Sequence, residues 1–583
     1  MSTAASAAAR FFQALAAAGV RDVIASPGSR STPFLLAALR CERLKVHSVI
    51  DERAAAFIAL GQARRWARPT VLLCTSGTAA AHYFPAVIEA SRDQVPLLII
   101  SADRPADLQG CEAPQTMTQP GLYGHYVRGF IDLGEARAEA RAERSVVRQA
   151  GRAFALSVGS RPGPVHVNAP ARKPLEPVPE PRTSEPLRVH ASSVAVAHGL
   201  APDDALQHIA DRLASSAHAL IVAGPAPAQA QAYRTQLASV AALAEAPVIA
   251  DTASQQRFGR SADGPVVFDH ASVVLRSEEG RQALTPDFIL QIGRAPISSA
   301  WLKFLSERVD TDLMVLAGER FADVESNARL LVQGDIGEAL SRLDAMLSAR
   351  ATDARAEDSG WLAHISRLND AAAAAIEREC AVAAPNSEIK AARAIGAALP
   401  DGSHLVLGNS LPIRHFDAFI PGDGRDIRVY SQRGVSGIDG LVAGAAGVAL
   451  DNESPTWIVL GDVSLVHDLG GLGAACALGI RLRVIVLNNA GGRIFDQLPV
   501  AARADLAEAM PFFHTTPQVD FEALVSGLGG TYHRAISDRE LEERLRKPGA
   551  DGVEVIEVML DPSSAKQGLS RITDACLSTE SAG

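Results

Sequence analysis

The sequence predicts an α/β protein of three doubly wound domains with mainly parallel sheets. Three observations carry this. Short β-branched runs recur without the in/out alternation of a half-exposed strand, as suits parallel strands covered on both faces. Stretches of helical length separate these runs. Pro-rich "ARKPLEPVPEPRTSEP" (171–186) and polar "SARATDARAEDSG" (348–360) interrupt the alternation and read as linkers. The length of 583 residues agrees, because a domain takes roughly 100–200 residues. The expected domains are 1–185, 195–348 and 361–583.

In the first segment the strand runs are "DVIASPG" (22–28), "VHSVID" (46–51), "TVLLCTSG" (70–77) and "VPLLIISAD" (95–103). Before them, "MSTAASAAARFFQALAAAGV" lacks the basic start and unbroken apolar core of a secretory leader and reads as an amphipathic helix. The second segment has "HALIVAGP" (218–225), "APVIADT" (246–252), "DFILQIG" (287–293) and "DLMVLAG" (312–318). No GxGxxG follows any of them, which disfavours a dinucleotide-dependent oxidoreductase. The third has "SHLVLGNS" (403–410), "IRVYSQRG" (427–434), "TWIVLGD" (456–462), "LRVIVLNN" (482–489) and "VEVIEVML" (553–560).

Composition narrows the function classes. A chain that is 47% hydrophobic and 21% charged has ample core, and no apolar run approaches the roughly 18 residues of a membrane span. Net charge −10 without a Lys/Arg block argues against a nucleic-acid partner. Any anion site must therefore use individually placed arginines. The six cysteines are far apart with no CxxC pair, and read as buried thiols of a cytoplasmic protein.

Two strand ends carry chemistry. One run closes on Gly461-Asp462 and the next on Asn488-Asn489, followed by Ala-Gly-Gly. Parallel strands ending side by side would present a carboxylate, an amide oxygen and a free Gly491 carbonyl together, a hard-oxygen set suited to Mg²⁺ shared with phosphate. Gly461, Gly491 and Gly492 let backbone approach an anion, and a helix opening near Ser464 would aim its N-terminus at it. Each pair alone is an ordinary strand-end turn. Their joint spacing favours the diphosphate reading, and the stretch resembles the diphosphate-binding motif of thiamine-diphosphate enzymes. That resemblance implies their architecture, thiamine diphosphate with Mg²⁺ (or Mn²⁺), and Asp462, Asn489 and Gly491 as metal ligands. Val463 departs from the Gly-Asp-Gly of many members.

The resemblance also asks for a carboxyl group against the cofactor's aminopyrimidine ring. Glu52 in "VIDERAAAFIALG" fits, at a strand-to-helix junction where burial would raise its pKa. A helix-terminal acid complementing the dipole is the competing reading. In this superfamily the two half-sites meet across a subunit boundary, which implies a homodimer or homotetramer.

Six motifs narrow the resemblance: "SPGSRSTPFLLAAL", "TSGTAAAHYFPAVIEAS", "SADRP", "GNSLPIR", "SQRGVSGIDG" and "NNAGGRIFDQLP". In this order and spacing they resemble the menaquinone-pathway (MenD) family, carboligases that join 2-oxoglutarate, with loss of CO₂, to isochorismate. The resemblance implies that Arg30, Arg104, Arg414 and Arg433 fork onto substrate carboxylates, with Ser29, Gln115 and Ser410 as polar contacts. It also implies Ser436, Ile438, Ser464 and Ile494 against the cofactor, and Ile494 with Phe495 lining the reaction pocket. Ser299 and Ala300 stand where the family often has basic residues, with Arg294 and Lys303 displaced nearby. The alternatives are a carboligase or decarboxylase for another 2-oxoacid, or a non-catalytic cofactor-binding relative.

Overall fold

Every strand run named above contains a strand in the computed structural model, which describes residues 3–176, 195, 197, 199–350 and 360–577. The first sheet comprises β1 (Asp22–Ala25), β2 (Lys45–Ser48), β3 (Thr70–Cys74), β4 (Leu97–Asp103), β5 (Gly129–Asp132) and β6 (Pro164–Pro170), in the order β2-β1-β3-β4-β6-β5. The second comprises β7 (Ala219–Ala223), β8 (Val248–Ala250), β9 (Phe288–Ile292), β10 (Asp312–Gly318) and β11 (Leu330–Gln333), in the order β11-β10-β9-β7-β8. The third comprises β12 (His404–Leu407), β13 (Arg428–Ser431), β14 (Thr456–Gly461), β15 (Leu482–Asn488), β16 (Thr531–Ala535) and β17 (Val553–Met559), in the order β13-β12-β14-β15-β17-β16. All neighbouring strands are parallel.

The first and third sheets share one winding order. In both, the winding reverses between the first and third strands, β1/β3 and β12/β14. A crevice opens outside the carboxyl ends of strands at such a reversal, and this is where α/β sheets bind ligands. The four strands missing from the sequence reading are β5, β6, β11 and β16. Three are edge strands of only four or five residues, "GFID", "LLVQ" and "TYHRA"; β6 opens on Pro164 and carries His166 and Asn168.

Helix Glu52–Trp66 joins the first sheet to the third by crossing helix Leu441–Ala449 at backbone distance. A Cβ on Gly61 would lie 1.9 Å from the Gly444 carbonyl oxygen, and one on Gly447 2.0 Å from that of Ile58. Glycine is required on both sides of this crossing. Glu89 adds a polar tie, accepting the N–H groups of Gly434 (2.9 Å) and Val435 (2.7 Å). The middle sheet is tied on through buried Arg257, whose guanidinium donates to the Asp417 carboxylate and to the carbonyls of Asp417 and Ile420.

Two expectations need correction. Ala171 and Leu175, at the start of the first expected linker, are buried in the first sheet's core, because the chain docks there before leaving it. Residues 177–186 of that linker and 351–359 of the second lie outside the described residues. Only Cys41, Cys74 and Cys576 are buried; Cys111 is exposed in the loop after β4, and Cys380 and Cys476 are half-buried. Among the described residues no helix is long and apolar enough to cross a membrane.

Candidate active site at the carboxyl ends of the strands

Asp462 follows β14, and Asn489 follows the adjacent β15. Asp462 is 2% exposed; its Oδ1 accepts the Val463 N–H at 2.9 Å and its Oδ2 the Gly491 N–H at 2.8 Å. Burial pushes its pKa above the usual carboxylate value, and these N–H groups only partly oppose that. A buried carboxylate short of positive charge, with a lone pair left on each oxygen, is suited to a divalent cation. Asn489 is buried beside it and uses Nδ2 to donate to Glu388, so its amide oxygen is the end left for a ligand. Gly491 adopts φ +115°, and a Cβ there would meet the His514 carbonyl oxygen at 2.3 Å. Its carbonyl is not free, as expected, but accepts the Arg493 N–H at 2.8 Å; one lone pair remains. The helix expected near Ser464 opens at Asp462 and spans only Asp462–His467, with Ser464 buried inside it. These donors fit a Mg²⁺-bound diphosphate.

Glu52 begins helix Glu52–Trp66, with three residues separating it from the end of β2 at Ser48. Asp51, not Glu52, caps this helix by accepting the Arg53 N–H at 2.9 Å. The capping role is therefore filled, and Glu52 makes no hydrogen bond or ion pair among the described residues. It is half-buried in the single chain, less covered than the expected buried position. Glu52 lies at the edge of the first sheet and Asp462 at that of the third, and no hydrogen bond joins the two groups.

The four arginines fall into two pairs. Arg30, buried after β1, donates to the Ala171 carbonyl at 2.7 Å, and burial followed by the nearby Arg104 lowers its pKa. Arg104, after β4, donates to the Ser76 hydroxyl and to the Pro114 carbonyl (3.0 Å). Gln115, at φ +57°, donates to the Ser76 carbonyl at 3.1 Å, and Ser29 is exposed in the one-turn helix Ser29–Ser31. These four side chains surround the β1/β3 reversal. The second pair surrounds the β12/β14 reversal. Arg414 folds back onto the Ser410 carbonyl at 2.6 Å, and Arg433 donates to the Asn409 amide oxygen at 2.9 Å. Burial and then the charge of Arg433 lower the Arg414 pKa. The charges of Arg414 and Arg433 oppose each other, with Asp417 offsetting part of this at Arg414, and two such guanidinium groups suit an anion.

Ser410 (φ +73°) and Ser436 (φ +62°) hold left-handed backbone, the latter exposed in the loop pinned by Glu89. Ile438 is half-buried against the core below that loop. Ile494 and Phe495 lie half-buried in the short helix Arg493–Gln497, where Phe495 packs on Phe513 with ring centres 5.1 Å apart.

Two family descriptions match the ends of the chain: "Thiamine pyrophosphate enzyme, N-terminal TPP binding domain" over residues 5–122, and its C-terminal counterpart over 426–558. Relatives named 2-succinyl-5-enolpyruvyl-6-hydroxy-3-cyclohexene-1-carboxylate synthase align nearly end to end. That of Sorangium cellulosum is 40% identical, covering 96% of this chain and 94% of the relative. Those of Bacillus velezensis and Halorubrum lacusprofundi are each 35% identical over 96% of this chain, and 95% and 96% of their own. The chain belongs to this synthase family. It is a thiamine-diphosphate-dependent enzyme.

Ser299 is exposed and Ala300 buried at the start of helix Ser299–Glu307, so neither position offers a cation. Arg294 instead pairs with Asp93 at 2.9 Å and donates to the Arg433 carbonyl at 2.7 Å, while Lys303 faces Glu307 at 3.8 Å. Sequence reasoning missed Asn409, which holds the Arg433 guanidinium and binds the Gln432 and Gly437 carbonyls. It lies within the "GNSLPIR" motif, where an amide at a strand end was the available signal. Glu388 and His415 were also missed, and no local pattern marks either.

Proposed function

We infer that the chain joins the four-carbon unit left when 2-oxoglutarate loses CO₂ to isochorismate, giving 2-succinyl-5-enolpyruvyl-6-hydroxy-3-cyclohexene-1-carboxylate for menaquinone biosynthesis. The observation that carries the site reading is the buried Asp462 carboxylate, joined to Gly491 and lying beside Asn489 at two adjacent strand ends. Asp462, the Asn489 amide oxygen and the Gly491 carbonyl hold Mg²⁺, with Ser436, Ile438, Ser464 and Ile494 against the cofactor. Bound thiamine diphosphate supplies the electron sink that lets a 2-oxoacid release CO₂. Glu52 holds a proton at its carboxyl group against the cofactor's ring nitrogen. Arg30 and Arg104, with Ser29 and Gln115, form one carboxylate-binding surface, and Arg414 and Arg433, with Ser410, form the other. Ile438, Ile494 and Phe495 exclude water from the reacting carbon.

Glu52 and the metal ligands stand on different sheets, so the reading includes a homo-oligomer in which one chain's first sheet faces its partner's third. Ile50, two residues before Glu52, and Phe512, near Phe495 in the sequence, are each 84% exposed in the single chain, which supports a covering partner. A cytoplasmic location belongs to the same reading. The substrate assignment is tested by following isochorismate loss with 2-oxoglutarate or pyruvate as donor. Consumption with 2-oxoglutarate alone is expected. Equal consumption with pyruvate would return the donor to the wider class of 2-oxoacids.

A further inference from the structure

Behind Asn489 lie two buried ionisable side chains that the reaction above does not use. Glu388, the first residue of helix Glu388–Ala398, is 1% exposed, and its Oε1 accepts the Asn489 Nδ2–H at 2.6 Å. The Glu388 backbone N–H is fixed in turn by the Ser564 hydroxyl at 3.2 Å. His415, 3% exposed on helix Leu411–Phe419, brings Nδ1 to 2.9 Å from the other carboxylate oxygen, Oε2. This approach lies off the direction of a hydrogen bond, so the ring sets the carboxylate's place by close polar contact and packing. Phe419 holds the imidazole from one face, with ring centres 5.5 Å apart and planes 24° from parallel.

The two ends of an asparagine amide are nearly the same shape but opposite in polarity. Only the oxygen can ligate a cation; the NH₂ end repels one. A buried asparagine with neither end claimed can turn either way. Glu388 accepts from the NH₂ end and so fixes which end is left for a ligand. Its neighbours point to positioning: His415 directly follows Arg414, on the helix that Ser410 opens.

We propose that Glu388, backed by His415, is the positioning residue that turns the Asn489 amide oxygen toward the metal and links the metal site to the arginine-bearing helix Leu411–Phe419. This rests on the reading of Asn489 as a metal ligand. The test is a calorimetric Mg²⁺ titration of the full chain with saturating thiamine diphosphate, alongside thermal melts of each apoprotein. Glu388→Ala should weaken Mg²⁺ binding roughly 10- to 100-fold, as losses of outer-shell partners do. Glu388→Gln keeps an acceptor oxygen and should stay within about three-fold of the parent, because the hydrogen bond itself survives. Parent-like Mg²⁺ binding by Glu388→Ala, or equal weakening by both variants, would overturn the proposal. Should Glu388→Ala not fold, His415→Phe keeps the ring but removes Nδ1. Weaker Mg²⁺ binding by its folded apoprotein supports the proposal, and unchanged binding contradicts it. Asp462→Ala is the separate control: if it still binds Mg²⁺ like the parent, the metal-site reading fails whatever Glu388 does.

Discussion

Glu52 is free to act because its neighbour caps the helix. Asp51 satisfies the Arg53 N–H, and among the described residues the Glu52 side chain has no hydrogen-bond or ion-pair partner. Glu52→Gln should therefore fold normally and bind thiamine diphosphate, yet lose about 10²- to 10⁴-fold in turnover, the usual loss when a positioned acid is removed. Steady-state kinetics with a cofactor titration checks both halves. A second residue-scale prediction concerns Asp468, whose Oδ2 accepts the Ala443 N–H at 2.8 Å. Burial raises its pKa from 3.8 to about 6. The native chain thus keeps a proton that the unfolded chain has released, and this group's contribution, full below pH 3.8, is lost as pH rises through about 6. Asp468→Asn should flatten the fall in apoprotein melting temperature across that window. An unchanged slope would show that Asp468 ionises alike in both states.

At the scale of elements, the crossing of helices Glu52–Trp66 and Leu441–Ala449 is among the tightest backbone approaches of the described residues. Alanine is a better helix former than glycine by about 1 kcal/mol. At Gly61 the new methyl would lie 1.9 Å from a carbonyl oxygen, and overpacking of this kind costs about 1–3 kcal/mol or more, so the clash wins. Gly61→Ala should lower the melting temperature, whereas Gly527→Ala, which meets nothing within 4 Å, should not. The same scale explains what was legible beforehand. Central strands such as β3 and β4 are buried along their whole length, so their composition alone marks them. Edge strands such as β16, with His533 and Arg534, carry no such mark. Asp462 and Asn489 were legible because a strand end is a local feature. Glu388 was not, since its role arises from an asparagine 101 residues away.

One sheet order occurs twice in the molecule, and on the proposed reading each copy would contribute half of the chemistry at its winding reversal. The first half carries Glu52, Arg30 and Arg104; the second carries Asp462, Asn489, Arg414 and Arg433. Completing the site across two chains predicts at least two chains per particle by light scattering at assay concentrations, with dissociation and loss of turnover occurring together on dilution. The central claim is tested most directly by assaying exhaustively dialysed protein with 2-oxoglutarate and isochorismate, adding thiamine diphosphate and Mg²⁺ singly and together. Isochorismate loss matched by CO₂ release only when both are present is the predicted result. Turnover without thiamine diphosphate, or CO₂ release that leaves isochorismate untouched, would contradict it.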